Sequence, residues 1–338
     1  MTGETLRASV VGAGAWGTAL AKVLAEAGHE VRLWSYEAEV AEAINARREN
    51  PYLPEIELPA SLRAHDVLGA AVQGAQLVVS VSPSQVVRGV MTEAADHIAP
   101  GALLVSASKG IELGSLLRMD EVLTEVLPAA AMERFCVLSG PSFAREVAVR
   151  SPTAVVVASR DDEAALRVQQ AFQTPWFRVY TNPDVVGVEL GGALKNVVAL
   201  AAGMTAGLGF GHNTSAALIT RGLAEMTRLG VALGARPATF YGLAGMGDLV
   251  LTCTGALSRN RTVGYRLGQG ESLEAILGEM TAVAEGVKTA SGVHELARRH
   301  GVEMRIAEQV YAIVTGERTP EEALRALMER DPKPEEWS

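Results

Sequence analysis

The chain has 338 residues, of which 48% are hydrophobic and 20% charged, and a formal net charge of −9. This length suggests two domains with a sizeable core, and the acidic balance disfavours a general nucleic-acid or anionic-membrane surface. Two cysteines, Cys136 and Cys253, exclude a disulfide framework and a cysteine-rich metal site. Because no basic segment with an apolar core precedes the first predicted strand, we expect no signal peptide and a cytoplasmic protein.

A G-x-G-x-x-G motif follows a short apolar strand predicted over residues 6–11 and opens a helix predicted over 18–27. This strand–turn–helix setting is typical of dinucleotide binding. Gly12 allows the tight turn, Gly14 lets the backbone approach a pyrophosphate, and Gly17 lets helix and strand pack closely. The N–H groups of the helix N-terminus would face the phosphates.

The second predicted strand, residues 30–34, bears on the choice between NADP and NAD. An NAD site usually has Asp or Glu at this strand tip to bind the ribose 2′-hydroxyl, but the tip here continues as Ser-Tyr-Glu. The absence of an acid at the tip favours NADP weakly. Glu37 would serve NAD if the strand ended later, whereas Arg47 and Arg48 could help hold a 2′-phosphate or simply be solvated helix residues.

Strands and helices alternate up to about residue 182, which is the pattern of a doubly wound parallel sheet. Further short apolar strands are predicted at 76–82, 102–108, 135–139, 153–159 and 177–181, with helices at 84–98 and 162–173. Helical periodicity then takes over in the segments 184–209, 213–233, 237–241, 272–280, 286–301, 305–315 and 320–330. We therefore predict an α/β Rossmann-type domain over 1–182, an all-α domain over 183–330 and a flexible tail over 331–338, with a surface loop at 50–59.

Lys195 and Asn196 stand in the middle of a long apolar segment, residues 184–210. On a helix, the neighbours of Lys195 one turn away are glycines and apolar residues. A lone lysine of this kind usually snorkels to the surface; the alternative is that it faces a cavity holding a polar group, with room left by Gly191 and Gly192. The central Lys-Asn pair and the glycines disfavour a membrane span.

Two further groups of polar residues are candidates for the site. In a doubly wound sheet, ligands bind beyond the carboxyl ends of the strands, where Lys109 and the turn 140–142 are predicted to lie. The glycine-dense stretch 242–261 is not expected to be one continuous helix. Its Ser-Arg-Asn-Arg end, 258–261, offers a helix N-terminus and an arginine fork for a phosphate. A solvated surface for the arginines, and a helix cap or turn for Asp248, are the plainer interpretations.

Taken together, the motifs closely resemble those of the bacterial NAD(P)-dependent sn-glycerol-3-phosphate dehydrogenase family, over about residues 8–325. The stretches that carry the resemblance are VVGAGAWGTALA (10–21), SGPSFAREVA (139–148), VGVELGGALKNVVALAAG (186–203), GLAEMTRLG (222–230), GMGDLVLTCTGALSRNR (245–261) and AEGVKT (284–289).

The resemblance implies reversible hydride transfer between NAD(P)H and C2 of dihydroxyacetone phosphate, giving sn-glycerol 3-phosphate for glycerophospholipid synthesis. The reaction needs no metal, and no metal-ligand cluster is visible in the sequence, so none is expected. The resemblance also implies a homodimer. The active-site residues that it implies are Lys195 as the acid/base with Lys109, Asn196, Asp248 and Thr252 around it. The substrate-binding residues that it implies are Lys109, Gly140, Ser142, Lys195, Asp248, Ser258, Arg259 and Asn260. The cofactor-binding residues are the motif glycines Gly12, Gly14 and Gly17 with Ala15, Trp16, Ser35, Tyr36, Lys109, Ala144, Arg259, Val283 and Glu285.

Ala15 and Tyr36 depart from the residues common in that family, which leaves the contacts to the adenosine end open. Two other functions remain as alternatives at this point. One is a related two-domain NAD(P)-dependent dehydrogenase for a 2-hydroxy acid or sugar acid. The other is a non-catalytic nucleotide sensor, which would have no reason to combine Lys109, Lys195 and Asp248.

Overall fold

The computed structural model describes residues 4–280 and 284–331, so Val283 and the predicted tail beyond Asp331 lie outside it. By the proximity of their Cα atoms, the residues divide into two compact units. The first comprises Met1–Ala193 with Gly230–Asp248, and the second Leu194–Leu229 with Leu249–Ser338. The domain boundary at residue 182 stays a prediction.

Eight strands of the first unit form one sheet, in the order β3-β2-β1-β4-β5-β6-β7-β8. Their bounds are β1 (Arg7–Val11), β2 (Glu30–Trp34), β3 (Leu62–His65), β4 (Leu77–Ser80), β5 (Leu103–Ser106), β6 (Phe135–Ser139), β7 (Thr153–Ser159) and β8 (Phe177–Asn182). All neighbouring strands are parallel except β6 and β7. The Rossmann-type fold class is confirmed, and β3 is an additional strand that the sequence did not predict.

The prediction of a wholly parallel sheet is wrong at β6 and β7, which pair antiparallel. The connection between them contains only one short helix, Ala144–Ala148. Five helical residues rise about 7.5 Å, whereas the seven residues of β7 run about 23 Å. The helix therefore cannot carry the chain back to the far end of the sheet, and the chain turns round instead.

Helices cover both faces of this sheet. In the first unit they are α1 (Ala15–Glu26), α2 (Ala38–Arg47), α3 (Leu68–Val72), α4 (Val87–Ala94), α5 (Met119–Val126), α6 (Ala129–Met132), α7 (Ala144–Ala148) and α8 (Asp162–Phe172). Successive residues of a strand point to opposite faces. Val10 accordingly joins the buried cluster that contains α1 and α8, whereas Val11 joins the one that contains α4 and α5. Apolar side chains are buried on both faces of the sheet, and this packing holds the strand ends in place.

The described residues beyond Asn182 form helices and no strand. Their bounds are α9 (Val185–Gly207), α10 (His212–Ala232), α11 (Pro237–Phe240), α12 (Asp248–Thr254), α13 (Arg259–Gly268), α14 (Leu273–Glu279), α15 (Glu285–Arg299), α16 (Arg305–Val314) and α17 (Pro320–Met328). The seven helices predicted in this part are confirmed with ends within two residues. The stretch 242–261 is broken as expected, into a π-helical turn (Leu243–Gly247), α12 and α13.

Among the residues that the structure describes, one helix, α9, is long and apolar enough to cross a membrane by length and composition, and the bent pair Pro237–Thr254 with Arg259–Gly268 is so when taken together. However, 94% of the most apolar window of α9 is buried inside the protein. This burial is that of a core helix, in keeping with the argument from its central Lys-Asn pair.

Within the second unit, α9 and α13 cross in backbone contact through glycines. A Cβ atom on Gly203 of α9 would overlap the carbonyl oxygen of Arg261 and lie 2.7 Å from the backbone nitrogen of Tyr265. A Cβ atom on Gly264 of α13 would likewise overlap the carbonyl oxygen of Leu200. The missing side chains therefore set the distance between the two helices, and with it the position of the α13 N-terminus.

Candidate active site

The glycine turn of the first unit has the division of roles that the sequence predicts. Gly12 has φ +127°, a conformation that favours glycine. A Cβ atom on Gly17 would overlap the carbonyl oxygen of Gly12 and lie 2.8 Å from Val81 Cγ1, so this glycine permits close packing. Gly14 differs, since nothing lies within 4 Å of its Cβ position. This open space is where a ligand could approach the backbone.

The surroundings of this turn fit a bound dinucleotide. Gly14 stands at the N-cap position of α1, and no described side chain caps the first N–H groups of the helix there. The indole N–H of Trp16 is buried without a hydrogen-bond partner among the described residues. Ala15, Trp16 and Ala144 all pack against the same buried core cluster. Residues 14–16 could therefore offer N–H donors to a pyrophosphate on a rigid support.

Asn50 contributes to this turn and was missed by the sequence analysis, which predicted a surface loop from this residue onward. The Asn50 side chain is buried, and its Nδ2 donates to the Ala13 carbonyl at 2.9 Å and to Thr18 Oγ1 at 2.7 Å. An amide directly before a proline was the only local signal. The predicted surface position is wrong for Asn50, whose buried amide needs partners and finds them on the glycine turn. It is also wrong for Leu53, Ile56 and Leu58, whose apolar side chains are buried.

At the end of β2, Ser35 is buried and Tyr36 is exposed over 83% of its surface. The Tyr36 ring contacts Trp34 edge to face. Ser35 Oγ donates to Glu37 Oε2 at 3.4 Å. The two predicted cofactor contacts at this strand end therefore differ in accessibility. Ser35 is buried and binds Glu37, whereas Tyr36 is exposed and could contact a ligand.

Lys109 forms a partly buried ion pair with Asp248 within the first unit. It follows β5, and its Nζ donates to Asp248 Oδ2 at 2.7 Å and to the Gly140 carbonyl at 3.2 Å. The Lys109 side chain is 18% exposed and that of Asp248 only 2%. Ser142 Oγ also donates to the Gly140 carbonyl. The structure thus brings together four residues that the sequence predicted for the site.

The glycines of α9 near this ion pair do not leave the empty space that the sequence analysis expected. A Cβ atom on Gly191 would lie 2.5 Å from the Ala244 carbonyl oxygen. One on Gly192 would lie 2.9 Å from Ser139 Oγ and 3.5 Å from Lys109 Cγ. Their neighbours are protein atoms, so these glycines admit the π-helical turn and the lysine side chain rather than a ligand.

Lys195 is buried in the second unit, with 6% of its surface exposed. Its Nζ donates to Thr252 Oγ1 at 2.8 Å. The snorkelling interpretation is therefore wrong. An ammonium has three N–H donors and no acceptor, and Thr252 fixes the direction of one of them. A buried, hydrogen-bonded ammonium on a rigid helix is suited to donate a proton to a substrate oxygen.

Next to Lys195, a chain of amide hydrogen bonds joins three helices of the second unit. Asn260 Nδ2 donates to Asn196 Oδ1 at 3.0 Å, and Asn260 Oδ1 accepts from the backbone N–H of Gly286 at 2.9 Å. Ser258 caps α13 by accepting from the Arg261 N–H. These contacts orient the α13 N-terminus. They also use one Asn260 N–H, which leaves the other for a ligand.

Arg259 and Glu285, the remaining described candidates of the second unit, differ in exposure. Arg259 is exposed at the first position of α13 and makes no ion pair with the residues that the structure describes. Glu285 is half-buried at the first position of α15. Arg259 thus keeps its guanidinium available at a helix N-terminus, a combination that suits a phosphate.

A cavity of about 470 Å³ also lies in the second unit, but its lining includes none of the predicted site residues. Its walls are formed by apolar side chains together with Glu225 and several arginines. The Glu225 carboxylate accepts from the N–H groups of Ile306 and Ala307 at the start of α16. Burial raises the pKa of Glu225 to about 7, although these N–H donors and Arg228 act in the opposite direction.

Comparison with known proteins gives consistent matches along the chain. The profile described as "NAD-dependent glycerol-3-phosphate dehydrogenase N-terminus" matches residues 7–165, and that of the C-terminus of the same enzyme matches 184–325. A relative named glycerol-3-phosphate dehydrogenase [NAD(P)+] from Geobacter sulfurreducens is 59% identical over 98% of this chain and 99% of its own length. One of the same name from Geobacter metallireducens is 61% identical, over 96% and 98%.

Solved structures agree with the sequence matches. The crystal structure of glycerol-3-phosphate dehydrogenase from Coxiella burnetii has a TM-score of 0.92 and 40% identity, over 96% of this chain and 99% of that one. A ketopantoate reductase from Ralstonia eutropha has a TM-score of 0.61 at 17% identity, over 94% and 100%. The second likeness concerns the fold alone.

Proposed function

The chain belongs to the NAD-dependent glycerol-3-phosphate dehydrogenase family, and we propose from this premise that it interconverts dihydroxyacetone phosphate and sn-glycerol 3-phosphate. The enzyme is an NAD(P)-dependent oxidoreductase. It transfers a hydride reversibly to C2 of the ketone, and its product is a precursor of glycerophospholipids. The observation that carries the assignment of the chemistry is the buried Lys195 held by Thr252.

Lys195 is the acid/base of the reaction. When C2 of the ketone accepts a hydride, its oxygen gains negative charge and needs a proton. The Lys195 ammonium donates that proton, and in the reverse direction the neutral amine takes it back from the C2 hydroxyl. Thr252 supports this role because its hydroxyl oxygen directs the ammonium. The low exposure of Lys195 supports it as well, since charge stabilisation is stronger where water is excluded.

In the first unit, the contacts of Lys109 with Asp248 and Gly140 orient the lysine side chain. The carboxylate of Asp248 neutralises the Lys109 ammonium, and the Gly140 carbonyl accepts a second N–H from it. Replacing Asp248 would leave the partly buried Lys109 ammonium without this counter-charge, which costs about 3 kcal/mol, the lower end for a buried pair. Lys109 therefore stays oriented toward the turn at Gly140, where we place contacts to substrate through Ser142.

The α13 N-terminus binds the phosphate of the substrate. Arg259 supplies a guanidinium, Ser258 sets the helix start, and the free N–H groups there carry the positive end of the helix dipole. Asn260 links this group to Asn196, the residue directly after Lys195. Phosphate binding can therefore be used to position C2 for reaction.

The glycine turn and α1 hold the dinucleotide, with Ala15, Trp16, Ser35, Tyr36 and Ala144 beside it in the first unit. Arg259, Glu285 and Val283 are the further contacts that family membership supports. When bound, the nicotinamide supplies the hydride donor that the side chains lack. The protein's part is to bind, to orient and to exchange the proton at Lys195 Nζ.

The acid/base role is tested by replacing Lys195 with methionine, which keeps the length of the side chain and removes the ammonium. Lys288→Met is the matched control, because Lys288 is an exposed lysine on α15. We expect Lys195→Met to lower kcat by several orders of magnitude while dinucleotide binding, measured by calorimetry, persists. Near-native turnover of Lys195→Met would contradict the role.

The phosphate role is tested with Arg259→Gln. Losing a charge-assisted contact costs about 1.5–3 kcal/mol, so the KM for dihydroxyacetone phosphate should rise about tenfold to a hundredfold. Inorganic phosphate should inhibit the native enzyme competitively and the variant weakly. An unchanged KM would remove this assignment, and a panel of 2-oxo acids assayed in parallel would reveal a different substrate.

Family membership also supports a cytoplasmic homodimer. Light scattering on the purified chain measures its mass directly, and a value near 35.5 kDa would mean a monomer.

A further inference from the structure

We propose that Glu37, oriented by Tyr52, selects NAD(H) over NADP(H) by accepting hydrogen bonds from the adenosine ribose. The inference rests on the proposed function for the identity of the cofactor class, and it concerns only residues of the first unit.

Glu37 stands beside the glycine turn. It lies three residues after the end of β2, whose Trp34 pairs with Val11, and the Gly12 N–H donates to the Trp34 carbonyl at 3.2 Å. Glu37 is exposed and occupies the N-cap position of α2 without a capping bond from its side chain. In a fold of this kind, an acid beyond the second strand binds the ribose hydroxyls. Glu37 is thus an acid at the ribose-binding end of the turn.

Two hydrogen bonds fix the carboxylate of Glu37. Tyr52 donates its hydroxyl to Oε1 at 3.0 Å, and Ser35 donates to Oε2 at 3.4 Å. The bond to Glu37 is also the main reason that the pKa of Tyr52 is raised, so the phenol remains a donor at neutral pH. A carboxylate has about four acceptor positions. Two remain for the neighbouring 2′- and 3′-hydroxyls of a ribose.

A continuous set of hydrogen bonds ties this carboxylate to the phosphate turn. Asn50 donates to the Ala13 carbonyl and to Thr18 Oγ1, and its Oδ1 accepts from the Tyr52 N–H at 2.8 Å. Tyr52 in turn holds Glu37. The distance between the pyrophosphate position and the ribose position is therefore set by Asn50 and Tyr52 rather than by a free loop.

Two arginines at the end of the following helix form exposed ion pairs with other acids. Arg48 forms an ion pair with Glu57 at 2.7 Å, and Arg47 lies 4.0 Å from Glu49. His65 pairs with Trp34 in the sheet register, and burial together with Arg32 lowers the pKa of its imidazole, which favours the neutral form. A 2′-phosphate would meet the Glu37 carboxylate without a dedicated counter-charge.

These contacts favour NAD, whereas the absence of an acid at the tip of the second strand favoured NADP weakly. The acid is absent from the tip itself but stands three residues later, and the loop at 50–59 returns to hold it. In NADP the 2′-oxygen carries a phosphate of nearly two negative charges, which removes a donor and adds repulsion. Selection for NAD follows from both effects.

The test uses direct binding of NAD⁺ and NADP⁺, measured by calorimetry on the whole chain, with NADH and NADPH kinetics alongside. For the native protein we expect NAD⁺ to bind at least about tenfold more tightly than NADP⁺, the size of one charge-assisted hydrogen bond. Glu37→Gln should remove most of this ratio. Tyr52→Phe should reduce it about threefold to tenfold, as expected for loss of a single hydrogen bond, and should have no further effect in the Glu37→Gln background.

Glu39→Gln is the matched control, because it removes an exposed acid from the first turn of the same helix. It should leave the ratio unchanged. Equal or tighter binding of NADP⁺ by the native protein would overturn the proposal, and so would an unchanged ratio in Glu37→Gln. Binding needs no substrate, so failure to reduce dihydroxyacetone phosphate would count against the proposed function and leave this test intact.

Discussion

The glycine crossing of α9 and α13 allows a prediction about a residue remote from the proposed chemistry. In Gly203→Ala the new methyl group would lie 2.7 Å from the backbone nitrogen of Tyr265, whereas ordinary contact begins at 3.4 Å. The two helices must therefore separate by more than 0.7 Å, the difference of these distances, because the carbonyl oxygen of Arg261 lies closer still. Backbone atoms form the obstacle, so no side chain can rotate away to relieve it.

The separation has a consequence for stability and one for the site. Overpacking costs about 1–3 kcal/mol, and replacing a helical glycine by alanine returns about 1 kcal/mol. If α13 moves by 0.7 Å, the Asn260–Asn196 distance grows from 3.0 Å to about 3.7 Å, beyond hydrogen-bonding range. Losing that bond adds about 1 kcal/mol. The expected net loss of stability is about 1–3 kcal/mol, accompanied by a higher KM for dihydroxyacetone phosphate.

Urea unfolding followed by circular dichroism measures the first effect, and steady-state kinetics measures the second. Gly278→Ala is the matched control, since nothing lies within 4 Å of its Cβ position on α14. The control should be as stable as the native chain or up to about 1 kcal/mol more stable, with the same KM. Native stability and KM in Gly203→Ala would refute the reasoning from backbone contact.

Three other outcomes are expected. Because burial raises the pKa of Glu225 from 4.5 to about 7, its folded form keeps a proton that the unfolded chain has lost. The free energy of unfolding therefore falls by up to about 3 kcal/mol as pH rises through that window, a slope that Glu225→Gln should remove in urea titrations at pH 5 and 8. Asp248→Asn should destabilise the fold by about 3 kcal/mol; adding Lys109→Met should recover stability in the same assay without restoring turnover. Gly14→Ala should weaken NAD⁺ binding in calorimetry at an unchanged Tm, whereas Gly17→Ala should lower stability by about 1–3 kcal/mol.

The sequence predicts the helices well because apolar periodicity runs along a whole helix face. The strand β3 could not be predicted from such a pattern. It has only two buried apolar residues in Leu62–His65, and it is a strand because it pairs with β2. The direction of β7 is equally non-local. It depends on how far the connection at 140–152 can reach. The apolar composition of β7 does not indicate whether the strand pairs parallel or antiparallel.

Local patterns fail in the same way for side chains whose partners are distant. A lone lysine among apolar neighbours on its own helix usually reaches the surface, whereas the buried Lys195 has a partner in Thr252, 57 residues later. Gly191 and Gly192 were expected to make room for a ligand, but they receive the Ala244 carbonyl and the Lys109 side chain. A glycine in a sequence indicates close approach without indicating which atoms approach.

The number of residues in the π-helical turn Leu243–Gly247 determines the direction of the side chains that follow it. A π turn holds one more residue than an α turn, and each residue of a helix rotates the next by about 100°. Deleting any one of these five residues would turn the Asp248 carboxylate to another side of α12, away from Lys109. Gly245 admits no side chain either, since a Cβ atom there would overlap the carbonyl oxygen of Phe240, so both the length of this segment and its glycine should be retained in functional variants recovered by random mutagenesis.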